Sequence, residues 1–169
     1  DTERILLNMK FGVVSDTHKN LKSVANIVSI FKDQKVEKVV HTGDITQSKT
    51  VEAFAEIEMP MYGVYGNNDL ELESLTKSIS NLGYHFVQPP LIDIWCNKKM
   101  IVVHDPLQLN EYDLSEYHLA IHGHTHRYRM ETINSTLIFN PGECAGHMTG
   151  YNAVGVIDLQ SMKTEIIKF

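Results

Sequence analysis

The segment FGVVSDTH at residues 11–18 decides the fold. Its run Phe11-Gly12-Val13-Val14 is short, apolar and β-branched, and it closes on Ser15-Asp16-Thr17-His18. That is the pattern of a buried parallel strand with polar groups at its carboxyl end. Moving outward, Leu21, Val24, Ile27, Val28 and Phe31 recur at helical spacing through a stretch without Gly or Pro, and the last turn is rich in lysine, which suits the helix dipole. Val36 to His41 repeats the strand pattern and ends at Thr42-Gly43-Asp44. A second helical pattern runs from Val51 to Ile57 and is stopped before Pro60. Met61 to Tyr65 forms a third strand, ending at Gly66-Asn67-Asn68-Asp69. Strand and helix in alternation predict right-handed crossovers and a parallel sheet covered by helices.

Beyond this point the pattern changes. Leu72 to Leu82 reads as a third helix, stopped by Gly83, and then strands dominate: 84–87, 91–95, 100–104, 119–122, 127–133, 136–140, 153–159 and 164–169, with Asn134-Ser135 as a hairpin turn. A second sheet, mixed or antiparallel, is therefore expected. Residues 105–117 are the longest irregular stretch. There is no internal repeat and no Gly/Ser/Pro linker, so a single domain over 9–169 is expected, with residues 1–8, ahead of Met9-Lys10-Phe11, as a leader or cloning remnant.

Composition narrows the function. The 169 residues are 43% hydrophobic, enough for a core without disulfide help. Two cysteines, Cys96 and Cys144, give neither a disulfide framework nor a Cys-x-x-Cys metal pair, and a reducing cytoplasm is the expected location. With 21 acidic and 15 basic residues the formal charge is −6, which opposes stable nucleic-acid binding and fits a small phosphorylated substrate. No apolar run approaches a membrane span, so no membrane partner is expected. Oligomeric state stays open, a homo-oligomer included.

The polar groups at strand ends, in order, are Asp16, His18, Asp44, Asn67, His104, His124 and His126. In open parallel sheets such ends converge on one side of the fold, so residues far apart in sequence come to share a site. Imidazole, carboxylate and amide oxygen without thiolate suit Mn, Fe, Co, Ni, Zn or Mg rather than a structural zinc. Seven ligands exceed one ion's needs. Two ions about 3.5–4 Å apart need a bridging group, and Asp44, beside Gly43, is the candidate. Any one of these residues alone has an ordinary structural explanation; the set does not.

Asp16-x-His18, Gly43-Asp44, Gly66-Asn67-x-Asp69, His104 and Gly123-His124-x-His126 together resemble the signature of the calcineurin-like metallophosphoesterases, above all the small stand-alone bacterial and archaeal phosphodiesterases. The resemblance implies an α/β fold of two packed mixed β-sheets flanked by helices. It also implies a dinuclear site: Asp16, His18 and His126 on one metal, Asn67, His104 and His124 on the other, and Asp44 together with a water or hydroxide bridging the two. Manganese is the expected ion, and hydrolysis of a phosphodiester the expected activity. Asp44, Asn67, Asn68 and His104 are the expected catalytic set. The alternative is a protein-binding scaffold of the same fold, like the retromer subunit, but a scaffold has no need to keep all seven ligands.

Three positions depart from the pattern. Asn68 stands where many relatives carry a histidine able to protonate the leaving group, and an amide has no proton to give at a useful pKa. A preference for good leaving groups follows, unless another group such as His147 substitutes. Lys19 and Asp105-Pro106 replace frequent glycines and are expected to narrow or re-charge the entrance. Glu143 replaces a small hydroxyl residue and is expected to repel highly charged phosphates. His41 and His122 are expected to hydrogen-bond within the shell around the ligands, and Asp69 to orient its neighbours.

Overall fold

The computed structural model describes residues 9–146 and 150–169; the expectations for residues 1–8 and for His147 fall outside them. Strands β1 (Lys10–Val14), β2 (Lys38–His41), β3 (Met61–Val64) and β4 (His85–Val87) pair in parallel, with β10 (Ala153–Asp158) and β11 (Lys163–Lys168) added antiparallel beside β1. The resulting six-stranded order is β11-β10-β1-β2-β3-β4. A second sheet, ordered β5-β6-β7-β9-β8, contains β5 (Leu91–Trp95), β6 (Lys98–Val102), β7 (Leu119–Ile121), β9 (Thr136–Asn140) and β8 (Arg129–Ile133). Its inner pairs β6-β7 and β7-β9 are parallel and its outer pairs antiparallel, so both sheets are mixed, as the resemblance implied; the strand–helix alternation predicted only the parallel β1–β4 part of the first sheet, to which β10 and β11 add an antiparallel edge.

Alternation along β1 explains the layering. Phe11 and Val13 point into the core between the sheets, against Trp95, Met100, Leu119, Ile121 and Phe139. Val14 belongs to the opposite core, which the helices cover. There α1 (Leu21–Gln34) presents Val24, Ile27, Val28 and Phe31, joined by α2 (Ser48–Ala53), which tightens into a 3-10 turn at Phe54–Ile57, and by α3 (Leu72–Asn81). Asn20 caps α1 by accepting from the Ser23 N–H at 3.0 Å. Gly12 must be glycine, because a Cβ there would lie 2.5 Å from the Phe31 ring.

Strand and helix positions match the sequence expectations to within one to three residues at their ends, with two local differences. Residues 105–117 are not irregular: they fold into two 3-10 helices, Pro106–Glu111 and Leu114–Glu116. The first is closed by a capping box between Asp105 and Gln108, the second by Asp113. Their Leu109 and Tyr117 cover the outer face of the second sheet over Ile101, Ala120 and Ile138. Positive φ occurs at Cys96 and Asn97 as well as at the expected Asn134 and Ser135, so β5-β6 is also a two-residue hairpin.

Candidate metal centre

Each predicted ligand follows the end of a strand: Asp16 and His18 after β1, Asp44 after β2, Asn67 after β3, His104 after β6, His124 and His126 after β7. Within each sheet these strands run parallel, so their carboxyl ends open on the same edge. Pairing continues past the strands into the loops: Thr42 N–H donates to Val14 O at 3.0 Å, Asp16 N–H to Gly43 O at 3.2 Å, His18 N–H to Asp44 O at 2.8 Å and Gly123 N–H to His104 O at 3.0 Å. The ligand loops are thus held in register with one another. Asp16, His18, Asp44, His124 and His126 all adopt left-handed φ between 47° and 68°, a costly conformation for non-glycine residues that persists only where surroundings impose it.

Close approach of loops depends on glycine. A Cβ on Gly66 would collide with the Asp44 carboxylate and lie 2.6 Å from Asp44 N, and one on Gly43 would lie 2.6 Å from His104 Nδ1.

Two groups of ligand atoms form. Asp16, His18 and His126 bring one atom each within 4.8 Å of one another, and Asp16, Asp44 and His104 do the same. His126 Nε2 lies 3.7 Å from Asp16 Oδ1, and His18 Nε2 lies 3.8 Å from Asp44 Oδ2. On the other side, His104 Nε2 is 2.8 Å from Asn67 Oδ1 and 3.2 Å from His124 Nδ1, while His124 Nδ1 is 3.1 Å from Asn67 Oδ1. Asp44 Oδ2 lies 3.4 Å from His104 Nε2. All seven predicted ligands are therefore brought together, with Asp44 between the two groups.

This arrangement fits divalent cations. His104 Nδ1–H donates to the Thr42 carbonyl at 2.8 Å, so in the neutral ring Nε2 is a lone pair. That lone pair faces the amide oxygen of Asn67, also an acceptor, and the carboxylate of Asp44. Acceptors crowded on acceptors are repulsive unless a proton or a metal cation stands among them. Asp16 adds a second sign: its side chain is fully buried, Oδ2 accepts from Ser15 Oγ and from His124 N–H at 3.0 Å, yet Oδ1 has no hydrogen-bond partner among the described residues. Burial pushes the Asp16 carboxyl pKa up, only partly offset by the Ser15 hydroxyl and by His104 and His126. Asp44 goes the other way. Burial alone would raise its pKa, but the His104 hydrogen bond and both donors of Asn68 hold it well below the usual carboxylate range. For His104, burial would lower the pKa, but Asp44, together with the Thr42 carbonyl and Asp16, outweighs burial and raises it.

Around the ligands stands a set of fixed partners. Asp69, 4% exposed, accepts from Asp44 N–H at 3.0 Å, Thr46 N–H at 2.6 Å and Gly66 N–H at 2.7 Å, pinning two ligand loops at once. His41 Nδ1 accepts from Gly43 N–H at 3.0 Å, which leaves Nε2–H to donate to Thr17 Oγ at 2.9 Å; burial pushes its pKa down to about 3. His122 spans Gly123 O and Arg129 and is likewise lowered by burial. Asp105 Oδ2 lies 3.8 Å from His124 Nε2 and Glu143 Oε1 lies 3.5 Å from His126 Nδ1. Both departures from the motif therefore stand behind exposed histidines rather than simply lining the entrance.

Asn68 is placed differently from expectation. Its N–H donates to Asp44 Oδ1 at 2.8 Å and its side-chain amide to Asp44 Oδ2 at 2.9 Å, so it clamps that carboxylate rather than reaching outward. The Gly-Asn-Asn-Asp string gave no sign of this, because it depends on β2 and β3 being neighbours in space.

A double sheet whose parallel strands end in Asp, His and Asn side chains at one edge is a metallophosphoesterase architecture with candidate metal ligands. Residues 9–162 match the family model of the calcineurin-like phosphoesterase superfamily domain, and the chain belongs to that family. Members use divalent metals, and this chain has candidate ligands for them. The chain is 31% identical over 156 residues to phosphodiesterase MJ0936 of Methanocaldococcus jannaschii, covering 90% of this chain and 94% of that protein. A solved structure described as a novel archaeal phosphodiesterase superposes with a TM-score of 0.87 at 28% identity, covering 95% of this chain and all of the other. Vps29 of Entamoeba histolytica shares the fold at a TM-score of 0.66 and 16% identity, over 95% of this chain and 99% of that one. Among the described residues no helix is long and apolar enough to cross a membrane.

Proposed function

We propose that the protein is a two-metal phosphodiesterase acting on small phosphate esters, with Asp16, His18 and His126 holding one divalent cation and Asn67, His104 and His124 the other. Asp44 lies between them as the bridge. The observation that carries this reading is the convergence of Asn67 Oδ1, His104 Nε2 and His124 Nδ1, each within 3.2 Å of the others, beside a clamped Asp44 carboxylate. Manganese is the proposed ion, ahead of Ni, Co, Fe, Zn and Mg, and a net charge of −6 favours small substrates over nucleic acids.

Cations bound there supply a water acidified to near neutrality and positive charge against the phosphate oxygens. The chain's own part is to hold that geometry. Asn68 and Asp69 fix Asp44, the Thr42 carbonyl fixes the His104 tautomer, and Asp105 and Glu143 orient the outer nitrogens of His124 and His126. With its amide committed to Asp44, Asn68 neither protonates nor contacts the departing oxygen, so labile esters are the favoured substrates. A protein-binding scaffold would leave the seven convergent ligands without a use.

The test is hydrolysis of bis-p-nitrophenyl phosphate and p-nitrophenyl phosphate across a panel of divalent metals, with Asp44→Ala as control. Metal-dependent turnover of the diester, lost in the variant, is expected. Its absence with every metal would overturn the enzymatic reading.

A further inference from the structure

Among the described residues, three cavities open beside the ligand cluster. One, of about 400 Å³, is lined by His18, Lys19, Asn20, Leu21, Thr46 and Ala145 and has no aromatic wall. A second, of about 250 Å³, reaches Asn67, His104, His124 and Tyr65. The third, of about 370 Å³, differs in character. Its lining joins the predicted ligand His126 and its neighbour Glu143 to Tyr128, Tyr151, Ile166 and Lys168. Its volume lies within the range of small-molecule sites.

The two tyrosines stand out. Tyr128 is 54% and Tyr151 73% exposed, so two large flat apolar faces are kept in water at the rim of the metal centre. Glu143, beside His126, supplies a negative charge to the lining and Lys168 a positive one. A second phosphate or carboxylate is opposed by Glu143, whereas an uncharged flat ring can stack on the tyrosines, with an acceptor and a donor in the same lining.

We infer that this cavity is a subsite for a planar aromatic substituent of the phosphodiester, either an aryl group or a nucleobase, held by Tyr128 and Tyr151. The inference deepens the proposed function and rests on it for placing the phosphate at His126. Stacking on aromatic side chains sets the expected scale at about tenfold in affinity.

Three diesters with the same p-nitrophenolate leaving group test it: methyl p-nitrophenyl phosphate, bis-p-nitrophenyl phosphate and thymidine 5′-p-nitrophenyl phosphate, each assayed with the manganese-loaded protein. Since the leaving group is constant, the retained substituent alone is compared. KM about tenfold lower for the aromatic esters than for the methyl ester is expected, and Tyr128→Ala or Tyr151→Ala should move KM toward the methyl value more than they move kcat. Whichever of the aryl and nucleoside esters has the lower KM identifies the source of the ring. Equal KM values, or a preference that neither variant shifts, would overturn the subsite. Calorimetric titration with phenylphosphonate and methylphosphonate reads the same preference without turnover. An inactive protein that still prefers phenylphosphonate, and loses this in the tyrosine variants, would therefore count against the hydrolase reading alone. Equal binding of the two phosphonates would count against the subsite.

Discussion

Asp69 offers a sharp test of how the site is held, because it binds no predicted metal yet ties two ligand loops together. In Asp69→Ala, the N–H groups of Asp44, Thr46 and Gly66 lose the carboxylate that accepts from them in a largely buried setting. An orphaned buried donor costs about 1–3 kcal/mol, so three of them place the gross loss at several kcal/mol. Against this, a carboxylate no longer has to be buried; burial is the cause that raises the Asp69 pKa, so part of the loss is returned. A net destabilisation of about 3–5 kcal/mol is expected, a large share of the stability of an ordinary domain. Asp69→Asn keeps one acceptor oxygen but turns an amide NH₂ toward a backbone donor, so about 1–3 kcal/mol is expected. The assay is urea unfolding of chelator-treated protein, where no cation can mask the loss, followed by calorimetric manganese titration of the variants that fold. Metal affinity should fall in the same order, with Ala below Asn. If Asp69→Ala lost less than about 1 kcal/mol at unchanged m-value, or if Asn and Ala were equivalent, the three N–H bonds would not be what orders the loops.

Other expectations follow from the same geometry. Asn68→His should raise turnover of alkyl esters more than of p-nitrophenyl esters, because it introduces a proton donor; equal effects on both would remove the leaving-group argument. Asp105→Asn and Glu143→Gln should each weaken manganese binding by about tenfold in titration calorimetry, through the outer nitrogens of His124 and His126, with little change in the urea midpoint of the metal-free protein. His41 stays neutral in the folded protein down to about pH 3, whereas in the unfolded chain it takes a proton below about 6.5. Its contribution to stability is thus complete above that pH and is lost as pH falls toward 3, by up to about 1.4 kcal/mol per unit. In chelator, His41→Gln should flatten the decline of the urea midpoint between about pH 6 and 4; an unchanged slope would show that His41 is not the group responsible.

How much of this was legible beforehand depended on whether the signal was local. Strand–polar-end blocks are local, so Asp16, His18, Asp44, Asn67, His104, His124 and His126 could be picked from the string, and the rule that parallel strand ends converge put them on one edge. Hairpins were legible where Asn134-Ser135 carried the usual turn chemistry, but not at Cys96-Asn97, since cysteine is no turn signal. The 3-10 helices at 106–116 escaped because the buried apolar residues of this stretch, Leu109 and the C-cap Tyr117, follow no helical period over so short a span and are buried by packing against β6, β7 and β9.

By itself the sequence determined the order of elements, the sides of the strands that are apolar, and the chemical kinds of atom available for a cation. Those follow from periodicity and residue type, which need no partner. Only the tertiary structure decided which atom faces which. Asn68 became a clamp because β2 and β3 lie side by side, and Glu143 came to stand behind His126 because the loop after β9 meets the loop after β7. Tyr128 and Tyr151, 23 positions apart in the numbering, share one cavity only through that same meeting of loops. Distances between residues remote in the chain are set by packing, and packing is a property of the whole fold.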